Sequence, residues 1–299
     1  MTAQTTVAAP LGLRHRLNEY YELCKPRVVM LIVFTAIIGM FLAVPGLPPL
    51  DRLLWGTIGI TLQAAAAAAV NQLIDRNIDA RMARTCGRPL VTGTLSVTES
   101  VVFTAIIGSA GFAVLYFLVN PLTAWLTLAT LIGYAGVYTL YLKRATPQNI
   151  VIGGAAGAAP PVLGWAAITG TIHPHALLLF LIIFTWTPPH FWALAIERHK
   201  EYADVDVPML PVTHGLEYTR LQVLLYTILL LVVSVLPFVF NMSGLIYLAG
   251  ALLLGAVFLV YAIRLKWAPR PGLPMKTFGY SIVYLMGIFT LLFADHYIR

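Results

Sequence analysis

The chain of 299 residues is poor in charge and in cysteine, and each shortage removes a class of protein. Asp, Glu, Lys and Arg make up 10% of it against 59% apolar residues, which excludes a disordered chain. Two cysteines, Cys24 and Cys86, are too few for a disulfide scaffold at this length, and neither has a CxxC partner, which argues against a structural zinc site. Met1–Leu13 carries no basic side chain ahead of an apolar core, so these residues read as a loose cytoplasmic tail and not as a cleaved leader. Low complexity is confined to Ala64–Ala69, where small side chains let neighbouring helices pack closely.

What the chain has in abundance is uncharged length. Runs without Asp, Glu, Lys or Arg extend over 28–50, 53–70, 100–142, 145–196, 221–263 and 277–294. A helix crosses the hydrocarbon layer in about 20 residues, so the three longest runs each hold two spans. Their midpoints carry the punctuation: Asn120-Pro121, Thr169 to Pro174, and Asn241 to Gly244. The expected fold is therefore an all-α polytopic membrane protein with nine transmembrane helices, near 28–44, 53–72, 100–118, 122–142, 149–168, 176–196, 220–240, 244–263 and 277–294. In this division residues 1–24 are a cytoplasmic tail and residues 25–299 one integral domain.

The formal charge of +7 invites a nucleic-acid partner, but the basic residues border the apolar runs, so the partner is a lipid bilayer. With the N-terminus in the cytoplasm, 17 of the 19 Lys and Arg residues fall inside and only Arg52 and Arg299 outside. The positive-inside rule favours that orientation, which leaves the C-terminus outside.

Asn71, Asp75 and Asp79 recur every four residues at the inner end of the second span and share one helical face. Two carboxylates on adjacent turns repel, and a bound Mg²⁺ would compensate them, although Arg76 and Arg81 offer a plainer pairing. A second acidic set, Glu197, Glu201, Asp204 and Asp206, follows the sixth span on the same side, and the first three could share a face. Two acidic ends at one mouth of a bundle suit a magnesium-bound diphosphate. Lys25, Arg27, Arg84, Arg88, Lys143 and Arg144 lie there too, available for the remaining phosphate charge or simply anchoring the helices. His190, two turns inside the sixth span, is either a ligand-binding imidazole or a structural hydrogen-bonding residue, with His199 as runner-up.

The run Asn71 to Asp79, continued by Arg84-Thr85 and Arg88-Pro89-Leu90, resembles the first aspartate-rich motif of the intramembrane prenyltransferases, the UbiA superfamily. Within it the nearest resemblance is to the haem-farnesylating branch. It is carried by Lys25-Pro26-Arg27, Tyr138 to Arg144, Gly157-Ala158-Ala159-Pro160-Pro161 with Gly164-Trp165, Pro189 to Ile196, and Pro208 to Val212. The match is detailed from about Lys25 to Val212 and only a pattern beyond. It departs from the family at Asn77, where a further acid is usual, and at Lys200, where members often show a second acid beside Glu201.

The resemblance implies transfer of the farnesyl group of farnesyl diphosphate to a vinyl group of haem b, giving haem O and diphosphate, with Mg²⁺ as cofactor. Asn71, Asp75, Asp79 and Glu201 would be catalytic, with Asp75, Asp79, Glu201 and Asp204 as metal ligands and His190, with His199 as runner-up, binding the haem. A bacterial inner membrane, a cytoplasmic active site and contact with a haem A synthase or oxidase assembly factors would follow. Tyr134, Tyr138, Tyr141 and Trp192 are candidate aromatic faces for an allylic cation. The rival expectations are a prenyltransferase for a quinone precursor such as 4-hydroxybenzoate, and a transporter, whose acids would stand nearer the midplane.

Overall fold

In the computed structural model, which describes residues 12–299, all regular structure is helical. A short helix α1 (Leu13–Leu23) leads into α2 (Pro26–Leu42), followed by α3 (Leu50–Asp79), α4 (Val97–Leu118), α5 (Pro121–Ala145), α6 (Asn149–Thr169), α7 (Pro174–Glu197), α8 (Gly215–Val239), α9 (Leu245–Trp267) and α10 (Leu273–Ile298). Among the described residues, α3 to α10 are the eight helices long and apolar enough to cross a membrane. A ninth span is α2 taken with α1, from which it bends by 55°. The protein is thus a multi-span membrane protein of the expected class, with short connections between spans except for the two longer segments 80–96 and 198–214.

Two boundaries differ from those read from hydropathy. Residues 13–23, expected to lie in a tail, fold as α1, while residues 1–11 lie outside the described residues. The second span was expected to end near residue 72, yet α3 runs on to Asp79. Its 30 residues rise about 45 Å, more than the roughly 30 Å of hydrocarbon, so the last turns need not be apolar.

Because the spans alternate in direction, one end of the bundle collects the N-termini of α2, α4, α6, α8 and α10 and the C-termini of α3, α5, α7 and α9. It carries Asn71, Asp75 and Asp79 and is called the stripe end here; the other is the far end. Three short helices, Pro89–Thr92, His199–Asp204 and Leu210–Thr213, also lie at the stripe end. In chain order α3 packs on α4, α2 on α6, and α7 on α6, α8 and α10, so α7 stands in the interior. Lipid is as apolar as the helices, so close van der Waals fit holds them together. At the α2–α6 crossing a side chain on Gly164 would land on the Ala36 carbonyl.

The far end is closed by satisfied polar contacts. Asn120 caps α5 by accepting from the Thr123 N–H at 2.9 Å, and its amide donates to the Ala166 carbonyl at 2.9 Å. Arg52 donates to the Ile168 carbonyl at 2.9 Å, near the C-terminus of α6. Asp295, 1% exposed, accepts from the Gly244 and Tyr247 amides at the start of α9. The hydrogen bonds and ring contacts that join α2 and its following loop to α10 run between residues 41–46 and 293–297, all at this end.

Candidate active site

At the stripe end the last turns of α3 bury Asn71, Asp75 and Asp79 at 5%, 2% and 4% exposure, so the expected common face exists and points inward. Asn77, off that face, is exposed. Each member of the stripe meets a base from another element. Lys25, between α1 and α2, donates to Asn71 Oδ1; Lys143, on α5, reaches Asp75 Oδ2 at 2.6 Å; Arg88, in the loop before α4, pairs with Asp79. The Asn71 amide donates to Asp75 Oδ2 at 2.9 Å and to Thr139 Oγ1 at 3.1 Å, which orients the carboxylate. Three basic side chains face two carboxylates here, an arrangement that favours an incoming anion.

Local backbone departures aim these groups. Lys25 has φ 51°, a left-handed conformation costly for a residue with a side chain, set between the end of α1 and Pro26 at the start of α2. Gln72 holds the preceding segment by donating to the Glu22 and Leu23 carbonyls at 3.0 Å. Within α5, residues Gly133–Leu142 form a π-helix, whose wider turn brings Tyr134, Tyr138, Thr139 and Lys143 toward one face. Thr139 Oγ1 donates to the Tyr134 carbonyl at 2.8 Å, five residues back. The Tyr134 and Tyr138 rings stack at 5.5 Å, and the Tyr138 ring occupies the place where a side chain on Gly153 of α6 would stand.

The second acidic set is arranged less tightly than its spacing suggested. α7 ends at Glu197 and Arg198 leaves helical geometry, so Glu197, Glu201 and Asp204 do not lie on one continuous helix. Glu197, Asp204 and Asp206 are exposed. Glu201 alone is held, with Oε1 accepting from Arg198 at 2.6 Å. Burial raises the neighbouring Tyr202 phenol above its ordinary pKa, and the nearby Arg84 and Arg198 only partly offset this.

Several expected site residues fall elsewhere. Arg27 and Arg144 are exposed, and no hydrogen bond or ion pair ties either to the stripe. Tyr141 is 68% exposed and Trp192 lies in a separate apolar cluster, edge-on to Tyr226, so of the four aromatic candidates only Tyr134 and Tyr138 belong to the stripe's surroundings. His199 is half-buried beyond α7, its Nδ1 at 2.9 Å from the Ile196 carbonyl. Sequence reasoning gave no role to Thr139 and Gln72, although both lie inside the runs that carry the family resemblance.

The expectation that Asp75, Asp79, Glu201 and Asp204 gather on metal meets a correction. Among the described residues no three of His, Cys, Asp and Glu come together to hold an ion. Bases stand between the carboxylates, and Asp204 is turned to solvent. Yet Asp75 Oδ1 and Glu201 Oε2, one oxygen from each motif, are buried without a hydrogen-bond partner. A buried orphan carboxylate oxygen is costly, and such hard donors fit Mg²⁺, which takes few protein ligands and shares its shell with phosphate.

Residues 32–290 match the UbiA prenyltransferase family. The chain belongs to that family. Among its curated relatives, proteins named protoheme IX farnesyltransferase from Methylococcus capsulatus and Nitrosospira multiformis are 61% and 60% identical, covering 94% and 99% of both chains in each comparison. One of the same name from Legionella pneumophila is 59% identical over 98% of this chain and 99% of its own. Solved structures share the UbiA fold at 18% identity. A digeranylgeranylglyceryl phosphate synthase superposes with a TM-score of 0.79, covering 95% of this chain and all of its own. A UbiA homolog from Archaeoglobus fulgidus bound to GPP and Mg²⁺ superposes at 0.64, covering 92% and 99%.

Proposed function

We propose that this UbiA-family chain transfers the farnesyl group of farnesyl diphosphate to a vinyl group of haem b, releasing diphosphate and yielding haem O. The observation that carries this reading is near-60% identity, over almost the whole length, to relatives that bear one name. The quinone-precursor and transporter alternatives have no comparable support.

The residues supply a consistent chemistry. Lys25, Arg88 and Lys143 converge on the stripe and hold the diphosphate, Lys as point charges and Arg as a fork. Magnesium held by Asp75 Oδ1 and by Glu201 Oε2, the two unpaired carboxylate oxygens, would supply positive charge to the diphosphate as it leaves, while Asp79 holds Arg88 in place. The allylic C–O bond breaks with its electron pair going to the diphosphate, and the vinyl π electrons form the new C–C bond. Water then adds to the cation left on the vinyl carbon and loses a proton, which makes the product hydroxyl. Tyr134 and Tyr138 present stacked aromatic rings that stabilise a cation without reacting with it. Asn71 touches Lys25, Asp75 and Thr139 at once, and so positions the clamp.

The proposal includes a bacterial cell membrane with the stripe end cytoplasmic, supported by the asymmetry of Lys and Arg. Its test is pigment analysis of membranes from a host lacking haem O that expresses the chain. Haem O is expected; haem b left unfarnesylated despite good expression overturns the assignment. Chelation of divalent metal in the same membranes should stop the transfer, and Mg²⁺ should restore it.

A further inference from the structure

His190 is not an ordinary packed histidine. It lies on α7 seven residues before Glu197, about 10 Å deeper in the bundle by helical rise. The residue is 7% exposed. Its ring is clamped between Trp186, at 4.2 Å and 19°, and Phe278 of α10, at 4.4 Å and 24°. Trp186 is fixed in turn, its Nε1–H donating to the Ser281 carbonyl at 2.7 Å. Ser281, fully buried on α10, thus holds both the clamp and the ring.

The protons around Ser281 decide the tautomer. Its hydroxyl has one proton, donated to the Phe278 carbonyl at 2.6 Å. With the hydroxyl proton so placed, the 2.6 Å contact between Ser281 Oγ and His190 Nδ1 is met by an Nδ1–H that donates, and that is the tautomer assigned to the ring. A neutral imidazole protonated on Nδ1 has a bare lone pair on Nε2, and among the described residues Nε2 has no hydrogen-bond partner. Nε2 is not one of the fully enclosed unpartnered atoms, so it keeps an edge that a ligand can reach. Here one nitrogen is locked and the other left open, the arrangement of metal-ligating histidines, whose second N–H is given to a neighbour that orients the ring. In the reaction proposed above, the substrate with an open metal position for nitrogen is the haem. His190 also lies in the stripe half of α7, where no hydrogen bond or ring contact joins α2 to α10.

We propose that His190 Nε2 is an axial ligand to the iron of the haem substrate, and that Ser281 is the positioning residue that fixes its tautomer and direction. This rests on the haem-accepting reading of the chain. His199 is half-buried beyond the end of α7 and takes no part.

The test is a haem b titration of the purified full-length protein, read by absorption and electron paramagnetic resonance, with binding of inorganic diphosphate and Mg²⁺ checking that each variant is folded. Wild type and His199→Ala should give the same nitrogen-ligated spectrum. His190→Ala should lose that spectrum and bind haem at least about tenfold more weakly, and added imidazole should restore it. Ser281→Ala should lose roughly 10- to 100-fold in haem affinity, while Ser281→Thr, which keeps the hydroxyl, stays near wild type. Identical spectra from wild type and His190→Ala overturn the ligand, and unchanged haem affinity in Ser281→Ala overturns the positioning role. Wild type that binds magnesium diphosphate but no haem overturns the haem-accepting reading itself, and the ligand with it.

Discussion

The two ends of the bundle treat buried polar groups in opposite ways. At the far end Asn120, Arg52 and Asp295 each meet a helix terminus, and each finds partners. At the stripe end Asp75, Glu201, Asn149, Arg198 and Arg220 each keep a buried atom with no partner. Of nine such orphan atoms among the described residues, Gln63 Oε1 alone sits at mid-depth and the other eight are in the stripe half, so they are not scattered packing defects. A satisfied polar group fixes helices in place; an unsatisfied one is unfavourable until a ligand arrives. In the backbone the left-handed Lys25, the π-helix of α5 and the break at Arg198 lie at the stripe end, while the far end has its own left-handed residue, Asn241.

The sharpest way to break this comparison is to remove a carboxylate from each end. Asp75→Ala and Asp79→Ala should each lower farnesyl transfer by at least about 10²-fold while the protein still inserts and purifies, since electrostatic groups at a leaving anion have effects of this size. Near-normal turnover at saturating Mg²⁺ in either variant would remove the metal-diphosphate role. Asp295→Ala should do the reverse. Losing two buried amide partners should cost about 2 kcal/mol of stability, seen as faster thermal inactivation in detergent, with activity per folded molecule unchanged.

A smaller effect is expected within the stripe end itself. Gly153→Ala puts a methyl group against the Tyr138 ring, and overpacking of about 1.5 kcal/mol, if expressed in the transition state, lowers kcat about tenfold. An unchanged kcat would mean that the ring does not face the reacting carbon. The second acidic set should span the whole range, down to the smallest effect expected. Glu201→Gln should lose nearly all activity and weaken the Mg²⁺ dependence, Asp204→Asn should fall between, and Asp206→Asn should retain most. A Glu201→Gln enzyme with unaltered Mg²⁺ dependence would end the case for a metal carboxylate there.

Much of this was legible in the residues. Charge-free runs placed eight spans within a few residues of their observed positions, because hydrocarbon thickness and helical rise leave little freedom. The stripe of Asn71, Asp75 and Asp79 was readable because four-residue spacing on a helix is a geometric statement. The second set was misjudged by the same rule: spacing assumed an unbroken helix through Arg198, and loop geometry there follows local packing that no periodicity encodes. Cations were harder still. Six basic residues at one mouth look alike in sequence, and the fold brings Lys25, Arg88 and Lys143 to the stripe while leaving Arg27, Arg84 and Arg144 exposed.

By itself the sequence determined that this is a helical membrane protein of the UbiA type with its acids at one end, because burial in lipid forces apolar length and helical periodicity onto the chain. Tertiary structure alone decided which charges meet, which carboxylate oxygens stay unpaired, and that a serine on the last helix orients a histidine on α7. Apart from the Arg88–Asp79 pair, nine positions apart, those outcomes depend on contacts between residues 46, 68 and 91 positions apart, and no local pattern in the chain records them.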